Sequence, residues 1–183
     1  MPIYALGERR PRIHPKAWVH PDAVLIGDVW LDAEVSVWPC AVIRADCSPI
    51  RVGARTSVQD GCVIHTQPDN QTVIGPDCVL GHCAHLEGCV LDGLVLIGSN
   101  SVVLERARCR TGSLVGAGAL VKAGTEVPER ALAVGSPARI IPDKVNPDNI
   151  RLNVQGYLLH MQQQRDGMQR VTLDDCVREK VFD

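Results

Sequence analysis

The stretch LDGLVLIGSNSVVLERARCRTGSLVGAGALV, residues 91–121, decides the fold, because an aliphatic residue or a cysteine stands at every sixth position. A period of six matches neither the 3.6-residue turn of an α-helix nor the two-residue alternation of a plain strand. It is typical of a triangular coil, in which each hexad supplies one short strand and one corner. Stacked coils bury each other's apolar faces and pair their backbone groups. The stretch predicts an all-β fold, a left-handed parallel β-helix of hexapeptide repeats.

The same period extends through most of the chain, with register slips after Ile43 and Ile64 and one residue dropped before Leu91. The predicted inward aliphatic row is Ile13, Val19, Leu25, Leu31, Val37, Ile43, Val52, Val58, Ile64, Ile74, Leu80, Leu86, Leu91, Ile97, Val103, Cys109, Val115, Val121, Val127 and Ala133. A second inward row, four residues later, is small and includes Cys47, Cys62, Cys78 and Val90. Residues added by a slip are expected in loops, of which the larger is TQPDNQT, residues 66–72.

Three regions follow from the pattern: the β-helix at residues 1–144, a C-terminal helix at 145–170 and a polar tail at 171–183. Asn146 and Pro147 are typical of a helix cap followed by proline in the first turn. Apolar residues then recur at helical spacing, at Ile150, Val154, Tyr157 and Met161. We expect this helix to pack outside the prism, on its own subunit or on a neighbour, and the tail to be partly mobile or to add a strand.

Composition excludes several classes of protein. A net charge of −2 and a pI of about 6.3 give no electrostatic reason to expect binding to nucleic acid or to an anionic membrane. No secretory signal is apparent and no apolar run approaches the roughly 20 residues that span a bilayer, so a cytoplasmic protein is expected. The 8 cysteines contain no C-x-x-C pair, and we expect them to be reduced and structural.

One band of outward positions is rich in chemically competent side chains. Its members are Arg44, Asp46, Gln59, Asp60, His65, His82, His85 and Glu87. Arg44, Gln59, His65 and Glu87 each follow an inward aliphatic residue, so they share one position type and are expected on one wall, about 4.8 Å apart between adjacent coils. A filled prism has no internal cavity. A small-molecule site must therefore lie between prisms, which predicts a homo-oligomer, most simply a homotrimer.

The segments SVWPCAVIRADCSPIRVGARTSVQDGCVIH and IGPDCVLGHCAHLEGC resemble the γ-class carbonic anhydrase family and its hexapeptide-repeat relatives. The resemblance covers Ile13 to Pro142 and includes the closing VPERALAVGSPARII. It implies a trimer that hydrates carbon dioxide to bicarbonate, with three histidine ligands to zinc or a similar divalent metal such as iron or cobalt. One ligand would come from one subunit and two from the next.

Carried over by position, the resemblance implies that His65 and His82 are metal ligands and that Gln59 orients metal-bound water. Its interface arginine and aspartates correspond to Arg44, Asp46 and Asp60. A titratable shuttle for protons is also implied, but no glutamate lies within residues 66–72, so that role is unassigned.

The third ligand departs from the family pattern G-H-x-x-x-L-H-G, because this chain reads GHCAHLEG at residues 81–88. Glu87 replaces the third histidine, and His85 stands two residues earlier. Leu86 points inward, so strand alternation turns both neighbours outward, and either could complete the site. Two histidines and one carboxylate form an ordinary divalent site. The added negative charge makes bound water less acidic, so carbon dioxide hydration is expected to suffer.

Two other functions fit the repeat. Many hexapeptide β-helices transfer acyl groups from coenzyme A thioesters with a catalytic histidine and a basic groove, but here only Lys122 and a few arginines lie near the late coils. The other is a non-catalytic trimeric scaffold or metal-binding protein, in which Arg44 pairs with Asp46 or Asp60 to seal an interface and the histidines form hydrogen bonds.

Overall fold

Short parallel strands separated by tight corners make up most of the chain. The structure is a computed structural model that describes residues 2–176. These residues form a left-handed parallel β-solenoid of about seven coils followed by one long helix, as the six-residue period predicts.

The described residues contain 20 β-strands. They are β1 (Ile3–Tyr4), β2 (Arg12–Ile13), β3 (Trp18–Val19), β4 (Val24–Leu31), β5 (Ser36–Val37), β6 (Val42–Val52), β7 (Ser57–Val58), β8 (Val63–His65), β9 (Thr72–Ile74), β10 (Val79–Leu80), β11 (His85–Glu87), β12 (Val90–Leu91), β13 (Leu96–Ile97), β14 (Val102–Val103), β15 (Arg108–Cys109), β16 (Leu114–Val115), β17 (Leu120–Val121), β18 (Glu126–Val127), β19 (Leu132–Val134) and β20 (Arg139–Ile141).

Three walls enclose the interior. The start of β6 continues through β8, β11, β14 and β17, which together form what we call the site wall. The end of β6 continues through β9, β12, β15 and β18, the back wall, and the long strands β4 and β6 join these two walls into one 12-stranded sheet. The 8-stranded sheet from β3 to β20 is the third wall, called the helix wall.

Aliphatic side chains fill the prism in continuous rows. Ile43, Ile64 and Leu86 occupy equivalent places in successive coils, and each is fully buried. Coil stacking is so close at one corner that a Cβ added to Gly75 would lie 2.2 Å from the carbonyl oxygen of Asp92. In the middle coils each buried strand residue thus packs on the coil before it and the coil after it, which is how the repeat excludes water from its core.

Four details of the predicted register are wrong. The slip after Ile43 is not expelled as a loop, because β6 continues to Val52 and the pairing with β4 shifts between Gly27 and Val29. As a result Cys47 is exposed rather than inward. The dropped residue places Cys89, not Val90, in the interior. Ile13 is 36% exposed, because the first coil lacks a complete coil beyond it.

The C-terminal helix confirms its predicted start. Helix α1 (Pro147–Gly167) is capped by Asn146, whose side chain accepts a hydrogen bond from the backbone N–H of Asp148 at 3.0 Å. Ile150, Val154 and Met161 are buried, as the helical spacing predicts.

This helix packs on the helix wall of its own chain. Ile150 and Val154 join a cluster with outward residues of that wall, including Val79, Leu96 and Leu114. Met161 packs with Trp18 and Trp38. In the described part of the tail, up to Cys176, there is no strand but a single 3-10 turn (Asp174–Cys176), and the rest of the predicted tail lies outside the described residues. Within residues 2–176, no helix has the length and apolar character needed to cross a membrane.

Candidate metal and subunit-interface site

Three of the predicted residues form a column on the site wall. Arg44 lies opposite His65, and His65 lies opposite Glu87, in adjacent parallel strands. Each follows a buried residue of the inward row, so the pleat turns all three outward. His85 precedes buried Leu86 and therefore emerges on the same face as Glu87, as the alternation predicts.

Direct contacts join this column into one network. The Nε2 of His65 lies 2.8 Å from Oδ1 of Asp46, and its Nδ1 lies 3.1 Å from Oε1 of Glu87. Arg44 donates a hydrogen bond to the other carboxylate oxygen of Asp46. The Nε2 of His85 lies 3.6 Å from Oε2 of Glu87. Of the two partners considered for Arg44, the structure pairs it with Asp46 within one chain.

The two carboxylates are held in their charged form. Burial raises the pKa of Asp46, but hydrogen bonds from His65 and Arg44 outweigh it, and the net pKa is below the ordinary value. Burial likewise raises the pKa of Glu87, and hydrogen bonds from His65 and Gln67 lower it further than burial raises it. A carboxylate only accepts hydrogen bonds, so His65 satisfies both neighbours at once only when both ring nitrogens carry a proton.

The predicted loop at residues 66–72 ends at Thr72, the first residue of β9, which supports this network and which the sequence pattern did not identify. The hydroxyl of Thr72 donates to the carbonyl of His65 at 2.5 Å and accepts from the backbone N–H of Gly88 at 2.8 Å. Thr72 is fully buried and thereby ties the end of β8 to the end of β11. A hydroxyl residue in an inward row is the sequence signal that could have identified it.

His82 stands apart from the column. It lies in the corner between β10 and β11, where its Nδ1 is 3.0 Å from Oδ2 of Asp60. Its side chain is 52% exposed, and the structure describes no partner for its Nε2. Within residues 2–176 of one chain, no three His, Cys, Asp or Glu side chains are grouped closely enough to hold a metal ion.

Gln59 also lies away from the column, contrary to the expectation of one common wall. It follows β7, on the helix wall, because it precedes His65 by only one hexad, a third of a coil. Gln59 and His65 occupy the same position within their hexads, but they lie on different walls of the prism. The side chain is only 3% exposed, and no hydrogen bond of its amide is described within residues 2–176.

The fold and this outward network define a hexapeptide-repeat protein of the left-handed β-helix class. No protein-family model matches the chain. Carnitine operon protein CaiE from Escherichia coli O157:H7 is 41% identical over 160 residues, which cover 86% of this chain and 81% of that protein. CaiE from Escherichia fergusonii matches equally well. The chain belongs to this CaiE family of γ-carbonic-anhydrase-like hexapeptide-repeat proteins.

Solved structures agree with this assignment. A Bacillus cereus protein whose name suggests an acetyltransferase has a TM-score of 0.88 and 32% identity, covering 91% of this chain and 98% of its own. A hexapeptide transferase family protein from Anaplasma phagocytophilum has a TM-score of 0.81 and 29% identity over the same shares.

Proposed function

We propose that this protein is a γ-carbonic-anhydrase-like metalloprotein that assembles as a homotrimer and holds a divalent metal between neighbouring subunits. The observation that carries the proposal is that the proposed ligands lie at two separate places on the surface of one chain. His65 and Glu87 lie side by side on the site wall, 3.1 Å apart, whereas His82 projects from a corner with its Nε2 unpartnered among the described residues. A site that uses all three needs His82 from a second copy.

The surface around the column supports contact with a second copy. The outward position that pairs in register from β6 to β17 carries Val42, Val63, His85, Val102 and Leu120, so it is apolar in every strand except β11. Val63 is 38% exposed in the single chain. Covering this apolar row by a neighbouring prism stabilises the assembly through the hydrophobic effect.

The donor set fits a divalent cation such as zinc, iron or cobalt. Two histidines with either Glu87 or His85 supply the nitrogen and oxygen ligands that these ions accept. Asp60 bonds Nδ1 of His82, which orients the ring and leaves Nε2 as the ligating atom. Binding at His65 requires that the ring exchange one of its two carboxylate contacts for the metal.

When bound, the metal would supply a Lewis acid that polarises water and carbon dioxide. The residues of this chain have separate roles in the proposed hydration. Asp46 orients the ring of His65, and Arg44 neutralises the charge of Asp46. The amide of Gln59, which makes no hydrogen bond described within residues 2–176, is available to orient a small molecule at the subunit boundary. Glu87 adds negative charge, so we expect slow hydration.

Metal content and assembly test the site directly. Protein purified without chelators should be a trimer by light scattering and should hold close to stoichiometric metal by elemental analysis. Because His82 is a proposed ligand, His82→Ala should lose the metal, and His160→Ala, on the exposed face of α1, should keep it. A metal-free wild-type trimer would instead support the scaffold function.

Substitution of Glu87 tests the reaction. Glu87→His removes the extra negative charge and restores the family's ligand type, so the carbon dioxide hydration rate in stopped flow should rise by about tenfold or more, given that a shift of one unit in the acidity of bound water is a tenfold change. Glu87→Gln, which removes the charge but is a poorer ligand, is the matched control. Rates at the buffer background for wild type and Glu87→His together would rule out hydration.

Acyl transfer is the second candidate, favoured by the 32% identity to the Bacillus cereus protein. It predicts that acetyl-CoA is consumed in the presence of a panel of amines and that activity persists after chelation. Consumption that depends on His82 or His65 and not on metal would replace the metalloprotein proposal with this one.

A further inference from the structure

The N-terminal segment lies against the end of the site wall. Strand β1 pairs in parallel with β4, so that Tyr4 lies opposite Ile26, and Ile26 lies opposite Arg44. The segment therefore lies two strands below Arg44, at the end of the stack that continues into the column of Arg44, His65 and Glu87.

A tight turn after β1 brings Arg9 to this column. Leu6 and Arg9 exchange two backbone hydrogen bonds, at 2.8 and 3.2 Å, and Gly7 adopts a left-handed φ of 62° between them. Arg9 then donates from Nη1 to the backbone carbonyl of Asp46 at 2.7 Å.

Asp46 sits where the coil is irregular. The pairing of β4 with β6 is interrupted after Gly27–Ala45 and resumes at Val29–Ile50, so residues 46–49 bulge from the ladder. Gly27 accepts this geometry because it has no Cβ, which would otherwise lie 2.2 Å from the carbonyl oxygen of Ala45. The bulge turns the Asp46 carboxylate toward Nε2 of His65.

The bulge is held from both sides. On the side of the 66–72 loop, the backbone N–H of Ser48 donates to the Thr66 hydroxyl at 3.2 Å, and the Ser48 hydroxyl donates to the carbonyl of Gln67 at 2.9 Å. On the opposite side, the bond from Arg9 holds the carbonyl of Asp46, which the interrupted ladder leaves without a β4 partner. A charged donor makes this a stronger bond than a neutral one.

We propose that Arg9 is a positioning residue that holds the Asp46 bulge so that the carboxylate stays bonded to His65, and that the N-terminal segment thereby sets the geometry of the candidate metal site. The effect of Arg9 on metal binding rests on the proposed function. Its effect on the bond between Asp46 and His65 does not, because the contacts from Arg9 to Asp46 and from Asp46 to His65 exist within one chain.

The test compares Arg9→Met, which keeps the length of the side chain without a donor, with Arg9→Lys, which restores a donor. Arg10→Met is the matched control, because no side-chain bond of Arg10 is described within residues 2–176. In trimeric protein labelled with ¹⁵N at histidine, the Nε2–H signal of His65 should shift and exchange faster with solvent in Arg9→Met. Arg9→Lys and Arg10→Met should keep the wild-type signal. An unchanged signal in Arg9→Met would overturn the proposal.

Cobalt binding adds a second readout. Substitution of residues that orient metal ligands typically weakens affinity by about 10- to 100-fold. Because Arg9 acts through Asp46, we expect the lower end, about tenfold, in Arg9→Met, and no change in Arg10→Met. Failure of the wild type to bind cobalt would contradict the proposed function while leaving the His65 signal to decide the role of Arg9. Normal cobalt affinity in Arg9→Met would contradict the proposed effect of Arg9 on the metal site.

Discussion

Cysteine serves as a small apolar residue in the interior rows. Cys62, Cys78, Cys89 and Cys109 are buried, and all eight cysteines are free thiols. Burial raises the pKa of Cys62, Cys78 and Cys89 to about 12, and the pKa of Cys109 is also raised. Since the thiolate is the reactive form, these thiols are protected by both burial and protonation.

The low reactivity expected of the buried thiols can be measured by alkylation followed by mass spectrometry. At pH 8 the four buried cysteines should remain unmodified in native protein and react fully after denaturation, whereas Cys176, which is exposed, should react in both conditions. Rapid modification of Cys62 or Cys78 in native protein would contradict the described packing.

Close coil stacking makes Gly75 intolerant of a side chain. A Cβ at this position would lie 2.2 Å from a backbone oxygen that cannot rotate away. We expect Gly75→Ala to lower the free energy of unfolding by about 3 kcal/mol, at the upper end of overpacking effects. Gly156→Ala, in α1 with no atom within 4 Å of the added carbon, should instead raise it by up to about 1 kcal/mol. Urea unfolding of both variants checks the contrast.

At the scale of elements, α1 is held by its apolar face and not by its sequence propensity alone. Ile150 is fully buried against the helix wall, whereas Leu152, two residues later, is 65% exposed. Removing buried methylene groups costs about 2–5 kcal/mol, whereas exposed substitutions usually change stability by less than about 0.5 kcal/mol.

Ile150→Ala should therefore lower the free energy of unfolding by about 3 kcal/mol, and Leu152→Ala should leave it nearly unchanged. Thermal or chemical unfolding of the two variants distinguishes these outcomes. Equal destabilisation would mean that Leu152 is also buried, as it would be if the outer face of α1 packed against another subunit.

Across the whole molecule, stability should vary along the prism axis. Contacts in a solenoid are between neighbouring coils, so an end coil is supported on one side only. Ile13 in the first coil is 36% exposed, whereas Ile64 and Leu86 in the middle are fully buried. Local opening should accordingly require less free energy at the first coil.

Native-state hydrogen exchange measures this gradient. The openings that expose the backbone amides of β8 and β11 to solvent should require the largest free energies. The openings that expose those of β2 should require less. Equal protection of β2 and β8 would show that the first coil is covered by a contact beyond the single chain.

The sequence by itself determined the β-helix, the inward rows and the start of α1. The rows are readable because most inward positions are buried, and a polar side chain placed there without a hydrogen-bond partner would lose its contact with water. The Asn146 cap and the Ile150–Met161 stripe are local signals of the same kind. The sequence also predicted that His85 and Glu87 share a face, because side-chain alternation about Leu86 depends only on the strand.

Only the tertiary structure decided which wall each position type occupies. Gln59 and His65 have equivalent places in their hexads but lie on different walls. The place of a residue within its hexad determines whether its side chain points inward, whereas the place of the hexad within its coil determines the wall. The bulge at residues 46–49 exposes Cys47 and turns Asp46 to His65, and its position depends on Gly27 in the previous coil and on Arg9 in the N-terminal segment. Contacts between coils are distant in sequence, so no local pattern encodes them.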